Sequence, residues 1–327
     1  MDLRRFFPNA SPFAALVLAC VLLFAPFGAV AQQAQKVHRI GLMDHDRGTA
    51  TLPPLLQRLG ELGYKEGGNA SFEFADKGSF DQQGAELVQK QVDLIFVSSD
   101  QIIRAAQRAT TTIPLVMVGC DALAAGLIDS LSRPGGNLTG VSCNTTELAA
   151  KRLQMLQEVS PRLSRVGLLY NRNAPGTQVA LRLTGDGAQK LGVAVPPFGV
   201  AQSADIEPAF AAMQRDGVGG VIVVGDYLTY DHRQLIADQA ARYRLPTACS
   251  FRANVAAGCL FSYGPSLPEM FRLAADYADK VLKGAKPADL PVQEPTKYEM
   301  VINMKTVRAL GVVIPQTVRL RVDEVIE

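Results

Sequence analysis

Polar and aromatic side chains follow the short apolar runs of this sequence at the points where predicted strands end. They are Asp44 and His45, Ser98, Ser99 and Asp100, Cys120 and Asp121, Asn144 and Thr145, Tyr170 and Asn171, and Asp226 and Tyr227. Carboxylates, hydroxyls and helix N-termini can hold the ammonium and carboxylate groups of a small polar solute. For any one of these residues, capping of the following helix is an equally good explanation, so only the set as a whole indicates a ligand site.

The common catalytic signatures are missing from the sequence. It has no Gly-Lys dipeptide of a phosphate-binding loop, no G-x-S-x-G elbow and no H-E-x-x-H motif. Asp44, His45 and Asp46 directly follow the first predicted strand and could form an acid/base pair or clamp a metal ion. A polar loop lining a pocket is the interpretation that we favour. We therefore assign no catalytic residue, no metal site and no cofactor.

Short β-type runs alternate with amphipathic helical segments from Val37 onward, a pattern typical of parallel sheets covered by helices. The runs include VHRIGLM, DLIFVSS and PLVMVG in a first set, and LTGVSC, RVGLLYN and GGVIVVGD in a second. Longer helices are predicted over residues 230–243 and 268–283. Two sets of this size predict two α/β lobes with a cleft between them. Ligands of such sheets bind beyond the carboxyl ends of the strands.

The N-terminal residues read as a secretory signal. Two arginines precede an apolar stretch from Phe13 to Val30, which ends in the small-x-small triplet Ala29–Ala31. A membrane anchor is the alternative, but Pro26 and Gly28 interrupt the apolar run. The pattern predicts a signal peptide over residues 1–31, cleavage near Ala31, and a periplasmic or otherwise extracytoplasmic protein.

Charge and cysteine content narrow the class of partner. The formal net charge of the 327 residues is +2, which is too small to predict binding to nucleic acid or to an acidic membrane surface. Cys120, Cys143, Cys249 and Cys259 fit no zinc spacing and no C-x-x-C pair. Three disulfide pairings are open, of which Cys249 with Cys259 is the simplest, and four buried thiols are the alternative. We expect a monomer that binds a small molecule.

Several segments carry a family resemblance. They are the tail KGAKPADLPVQEPTKYEMVINMKTVRALGVVIPQTVRLRVDEVIE and the shorter runs SRPGGNLTGV, LGYKEGGN, TIPLV and FSYGP. These segments resemble the substrate-binding proteins of ABC transporters that have the type I periplasmic-binding fold. The particular branch contains uncharacterised members and tryptophan-type uptake systems, and the likeness covers essentially the whole chain after residue 31.

The resemblance implies an α/β fold of two doubly wound parallel-sheet lobes joined by three crossing segments. Lobe 1 would comprise residues 32–142 plus about 265–290, and lobe 2 residues 143–264 plus about 291–327. The PGGNLTG segment would form the tight turn before the first crossing strand, with Gly135 and Gly136 serving backbone geometry rather than phosphate binding.

The resemblance also implies a function. The protein would be an extracytoplasmic receptor that captures a small polar solute, an amino acid or related molecule, by hinge closure. It would deliver the solute to a membrane permease driven by a cytoplasmic ATPase. The alternatives are a receptor for a membrane signalling protein and an exported enzyme built around Asp44, His45 and Asp46.

Aromatic candidates complete the predicted site. Tyr227, Phe251 and Tyr263 would flank the ligand, although Tyr263 is equally well explained as a packed strand-end residue. The runs Ser98–Gln101 and Asp121–Gly126 depart from the pattern of the family at the expected cleft. For this reason the amino-acid ligand of relatives is not transferred from sequence alone.

Overall fold

The apolar runs form the strands of two sheets in the computed structural model, which describes residues 36–43, 51–174 and 176–327. The predicted signal peptide and Asp44, His45 and Asp46 lie outside these residues. The strands are β1 His38–Met43, β2 Ala70–Phe74, β3 Leu94–Ser98, β4 Leu115–Cys120, β5 Leu138–Cys143, β6 Val166–Asn171, β7 Pro197–Val200, β8 Gly220–Val223, β9 Thr247–Cys249, β10 Phe261–Pro265, β11 Tyr298–Asn303 and β12 Glu324–Ile326.

Helices connect the strands. They are α1 Leu52–Glu61, α2 Phe80–Gln89, α3 Asp100–Ala109, α4 Leu148–Val159, α5 Thr177–Leu191, α6 Ile206–Arg215, α7 Tyr227–Asp231, α8 Arg233–Arg242, α9 Arg252–Ala257, α10 Leu267–Leu282, α11 Met304–Leu310 and α12 Gln316–Arg319. Short 3-10 turns lie at Ser203–Asp205 and Pro287–Asp289. No helix within the described ranges is long and apolar enough to cross a bilayer.

In the described part of the chain the first sheet has five strands in the order β2-β1-β3-β4-β5, and all of its pairs are parallel. The second sheet has seven, in the order β12-β11-β10-β9-β8-β6-β7. Its β10–β11 pair is antiparallel, unlike the purely parallel sheets of the prediction. The direction reverses because the chain leaves this sheet after β10 and re-enters it from the same side. The predicted two-lobed α/β class is confirmed.

Both faces of each sheet are buried, as parallel strands flanked by helices require. Along β3, Leu94 and Phe96 pack in one apolar cluster with α10, whereas Ile95 and Val97 pack in another with α3. The strands of the second sheet divide in the same way between two further clusters. Each sheet therefore lies between two apolar clusters, and the carboxyl-terminal strand ends are left to form a site.

The chain passes between the sheets at three places in the described residues. It leaves the first sheet after Cys143, returns from Pro265 into α10, and leaves again between Leu290 and β11. On the last passage Gln293 hydrogen bonds to β5, its backbone N–H donating to Gly140 at 3.0 Å. The residue limits of the two lobes stay a prediction that these passages support.

The turn before β5 and the pairing of the cysteines bear on two local predictions. Gly135 and Gly136, in the turn before β5, have φ values of 76° and 58°, which favour glycine over any residue with a side chain. Disulfides join Cys249 to Cys259 and Cys120 to Cys143. The first pairing is the one that the sequence favoured, and the alternative of four free thiols is wrong. The second pairing links the last residues of the neighbouring strands β4 and β5.

Candidate functional site

A cavity lies at the carboxyl ends of both sheets. It has about 1200 Å³ of unfilled space, counting the solvent at its mouth. Nine of the residues predicted from sequence line it within the described ranges: Ser98, Ser99, Asp100, Cys120, Asp121, Asn171, Asp226, Tyr227 and Phe251. Since these residues come from strand ends of both sheets, the topology brings together side chains that are up to 153 positions apart in sequence.

Asp226 follows β8 and is the N-cap residue of α7. Its carboxylate accepts a hydrogen bond from the Thr229 backbone N–H at 2.9 Å and another from the Asn171 side-chain amide. It therefore caps the helix and lines the cavity at the same time, and the two explanations that sequence left open are compatible. Burial raises the pKa of Asp226, and the bonds from Thr229 and Asn171 oppose that rise.

Asp121, directly after β4, is held by residues that follow the first passage between the sheets. Its carboxylate accepts hydrogen bonds from the hydroxyls of Thr145 and Thr146, each at 2.7 Å. Burial raises the pKa of Asp121, while these bonds and the charge of Arg152 oppose the rise. The buried Thr145 thus orients Asp121 and does not itself line the cavity.

Arg152 of α4 is fully buried beneath this part of the site. Its guanidinium donates to the carbonyl oxygens of Tyr263 at 2.9 Å and Thr145 at 3.1 Å. Burial lowers the pKa of Arg152 to about 10, and the Asp121 carboxylate acts in the opposite direction. Because Thr145 follows the first passage and Tyr263 precedes the second, Arg152 fixes the backbone of both passages.

Ser99 and Asp100 form the start of α3. Ser99 has a φ of 63°, a left-handed value that is costly for a residue with a side chain. Its hydroxyl is buried, caps no helix N–H and has no hydrogen-bond partner in the described structure. The Asp100 carboxylate has no hydrogen bond or ion pair with any described residue. Its pKa rises to about 7, chiefly through burial and then through the charges of Asp121 and Asp226, with Arg104 opposing.

Apolar and aromatic groups form the rest of the lining. Phe251 is 7% exposed, and its ring meets that of Tyr230 edge-on with centroids 5.8 Å apart. Gly225 allows the backbone to approach Ser250 and Phe251, because a Cβ at that position would lie 2.6 Å from the Ser250 hydroxyl oxygen and 3.1 Å from the Phe251 ring. Tyr227 meets Phe80 of α2 edge-on at 5.9 Å, so the sides contributed by the two sheets touch there.

Six predicted residues are not among the described residues that line the cavity. Asn144, Tyr170 and Tyr263, like Thr145, are absent from the cavity lining, and Asp44 and His45 fall outside the described residues. The Asn144 side-chain oxygen accepts from the Glu147 backbone at 3.4 Å, and the Tyr263 ring packs 6.4 Å from that of Tyr298. Ligand contact by these residues stays a prediction that the cavity does not support.

Several lining residues were not foreseen from sequence: Thr51, Gln101, Thr146, Gly176, Thr177, Tyr230, Asp231, Leu267, Met270 and Phe271. Leu267, Met270 and Phe271 belong to the first turns of α10, where the chain re-enters the first sheet. The signal that could have found them is position, since a helix that follows a crossing strand begins at the cleft. Among the described residues, no group of three His, Cys, Asp or Glu is arranged to hold a metal ion.

A family model covers almost the whole described chain. Residues 36–326 match the model described as ABC transporter substrate binding protein. The chain belongs to this family. The resemblance that the tail and the shorter segments carry is thereby confirmed. As a member of this family, the chain is a substrate-binding protein.

Individual relatives agree with this membership in the family. A protein described as "Tyrosine-binding protein" from Clostridioides difficile (strain R20291) is 26% identical over 277 residues, covering 82% of this chain and 79% of that protein. The ABC domain from Streptococcus pneumonia solved in complex with L-Trp has a TM-score of 0.82 at 25% identity, covering 89% of this chain and all of that one. A conserved domain protein from Vibrio cholerae has a TM-score of 0.81, also at 25% identity, covering 90% of this chain and all of that one.

Proposed function

We propose that this family member captures an amino acid with an aromatic side chain in the cavity and delivers it to the membrane permease of an ABC importer. The permease would be driven by a separate ATPase, and the capture would take place outside the cytoplasm. The observation that carries the proposal is the combination of a pre-oriented carboxylate, Asp226, with the aromatic lining around Phe251 at one cavity.

The two ends of an amino acid have suitable partners. Asp226 is held in place by Thr229 and Asn171, so it can meet an ammonium group without further ordering of its own side chain. Gly176 and Thr177 line the cavity at the start of α5. The Thr177 and Val179 backbone N–H groups donate to Ala174 and Gly176, and the positive end of the helix dipole at this position favours a carboxylate.

The apolar part of the solute would lie against Phe251, Tyr230 and Met270. Burial of an aromatic ring contributes a large share of the binding free energy of such ligands. The relatives described as tyrosine-binding and as a complex with L-Trp support this choice of side chain. Tyrosine and tryptophan are accordingly the first solutes to test.

Closure of the two sheets on the solute would follow from contacts with both sides of the cavity. A ligand that touches Asp121 on one side and Asp226 or Phe251 on the other favours the arrangement in which both contacts are made. The passages after Cys143, after Pro265 and after Leu290 would be the segments that bend.

The test is a thermal-shift and calorimetric screen of the protein, purified after expression of the full-length gene. L-tyrosine, L-tryptophan and L-phenylalanine should raise the melting temperature by mass action, whereas L-alanine, which lacks the ring, should not. Asp226→Asn should abolish most of the shift. If another chemical class of solute binds and no aromatic amino acid does, the proposed ligand is wrong.

Delivery requires a second measurement. Deletion of the gene should reduce uptake of the labelled amino acid that the purified protein binds, and the wild-type gene should restore the uptake while the Asp226→Asn gene does not. Unchanged uptake in the deletion strain would contradict the role in import.

A further inference from the structure

The cavity is acidic. Asp100, Asp121, Asp226 and Asp231 line it, and no lysine, arginine or histidine does so among the described residues. A cleft lined by charges of one sign raises the local concentration of ligands of the opposite sign. An amino acid with one ammonium and one carboxylate group uses only part of this negative charge.

Two of these carboxylates are engaged by the protein itself. Asp121 accepts from Thr145 and Thr146, and Asp226 accepts from Thr229 and Asn171. Asp226 is oriented for the ammonium of the proposed amino acid, and Asp121 is fixed at the base of the passage between the sheets. Neither requires a further charged group on the solute.

Asp100 differs from both. Its carboxylate receives no hydrogen bond from a described residue, and the buried Ser99 hydroxyl beside it has no partner there either. A partly buried carboxylate without a donor costs stability, and so does the left-handed backbone of Ser99. Both costs fall on adjacent residues that line the cavity, which is where a bound donor would offset them.

We propose that Ser99 and Asp100 form a subsite for a second cationic group, so that the preferred solute has a net positive charge. This inference rests on the proposed function, because it takes the α-ammonium to be at Asp226. The solute class is an amino acid, or a close derivative of one, that carries an additional amino group able to reach the start of α3. A helix-dipole role for Asp100 is the competing explanation, and it predicts no preference between ligand charges.

The test uses pairs of ligands that match in shape and differ in charge. They are 4-(aminomethyl)-L-phenylalanine with 4-ethyl-L-phenylalanine, and L-lysine with L-norleucine. In at least one pair the cationic member should bind the wild-type protein at least tenfold more tightly by calorimetry. Asp100→Asn should remove that preference and leave the affinity for the neutral member within about threefold.

A matched control removes the same charge elsewhere. Asp216 is exposed at the end of α6, outside the cavity, so Asp216→Asn should preserve the charge preference. Ser99→Ala, which keeps the Asp100 charge, should weaken the cationic member without abolishing its preference. Melting temperatures of all variants establish that they are folded.

A pH series gives a second readout. The charged groups that act on Asp100 are Asp121, Asp226 and Arg104. Because the Asp100 pKa of the free protein is about 7, the carboxylate is ionised mainly above that pH, and the cationic preference should be larger at pH 8.5 than at pH 5.5. Asp100→Asn should flatten this dependence.

The outcomes separate the two proposals. Equal binding of cationic and neutral members in every pair, or loss of both affinities to the same extent in Asp100→Asn, overturns the second cationic subsite and leaves amino-acid binding intact. Failure of every amino acid to bind overturns the proposed function and this inference with it.

Discussion

The two sides of the cavity are built differently. The first wall, residues 98–101 and 119–121, contains two strained positions, Ser99 and Asp121, with φ values of 63° and 56°. The second wall, formed by Asn171, residues 225–227 and Phe251, contains no non-glycine residue with positive φ in the described structure. Its carboxylate is held by a capping box and an amide.

This difference separates two tasks that a binding site must perform. A pre-oriented group such as Asp226 contributes affinity, because little ordering remains to be done when the ligand arrives. A strained and unsatisfied group such as Ser99 or Asp100 contributes selectivity, because only a ligand with the right donor offsets its cost. We therefore expect the second wall to control how tightly a solute binds and the first wall to control which solute binds.

Arg152, which fixes the passages joining the two walls, gives the largest expected effect. Arg152→Met leaves Asp121 without its buried countercharge and the carbonyls of Thr145 and Tyr263 without a donor. Removal of one partner from such a buried arrangement costs about 3–5 kcal/mol of folding free energy. Urea unfolding should show this loss, and Arg152→Lys should lose less. A midpoint unchanged in Arg152→Met would show that the buried guanidinium does not stabilise the passages.

Asp226 should give the largest effect on affinity. Asp226→Ala removes both the charge and the cap of α7, so we expect a loss of binding of about 100-fold, together with about 1 kcal/mol of stability. Asp226→Asn retains an oxygen that can cap and should lose affinity with little change in unfolding. Calorimetry and thermal melts together separate the two roles, and a wild-type affinity in Asp226→Asn would remove Asp226 from the site.

Ser99 tests the strain of the first wall. Glycine adopts a positive φ without steric cost, so Ser99→Gly removes the strain at this position. We expect a gain of about 1 kcal/mol in stability and a loss of affinity of about threefold to tenfold. Ser99→Ala keeps the strained backbone and removes the hydroxyl, so it should lose similar affinity without the gain. If both variants have the same stability, strain at this position is not what distinguishes the two walls.

Asp100→Asn should have a smaller effect, a change in thermal stability that depends on pH. Its pKa is about 7 in the folded protein against an ordinary value of 3.8, so the folded state binds the proton more tightly between these values. Stability therefore falls as pH rises through this window, and this contribution is absent at low pH. Without ligand, Asp100→Asn should melt like the wild type near pH 4 and about 2 °C or more higher at pH 8. Equal melting temperatures of Asp100→Asn and the wild type at both pH values would contradict a raised pKa of Asp100.

The sequence predicted the architecture because periodicity and order are local signals. Alternating apolar runs and helical segments predict most of the strands, though not β11 and β12, and the rule for strand ends places nine of the predicted side chains at the cavity. The helix predicted over 268–283 is observed as α10, Leu267–Leu282. The helix predicted over 230–243 instead begins at Tyr227, because Asp226 caps it there, and it is divided into α7 and α8 at His232.

The sequence did not reveal which strand-end residues turn away from the cavity. Tyr170 and Tyr263 pack against the core of the second sheet, and Thr145 bonds to Asp121, because side chains alternate between faces and neighbours compete for them. The buried Arg152 also gave no signal, since an arginine inside a helix usually lies on the surface. Both kinds of information depend on contacts between residues far apart in the chain.

The central claim is that the solute binds between the two walls, and a crystal structure of the protein grown with the aromatic amino acid that gives the largest thermal shift tests it most directly. We predict that the ammonium group lies within hydrogen-bonding distance of Asp226 and that the ring packs against Phe251. A solute bound outside the cavity, or one recovered from the crystal as a different compound, would contradict the account.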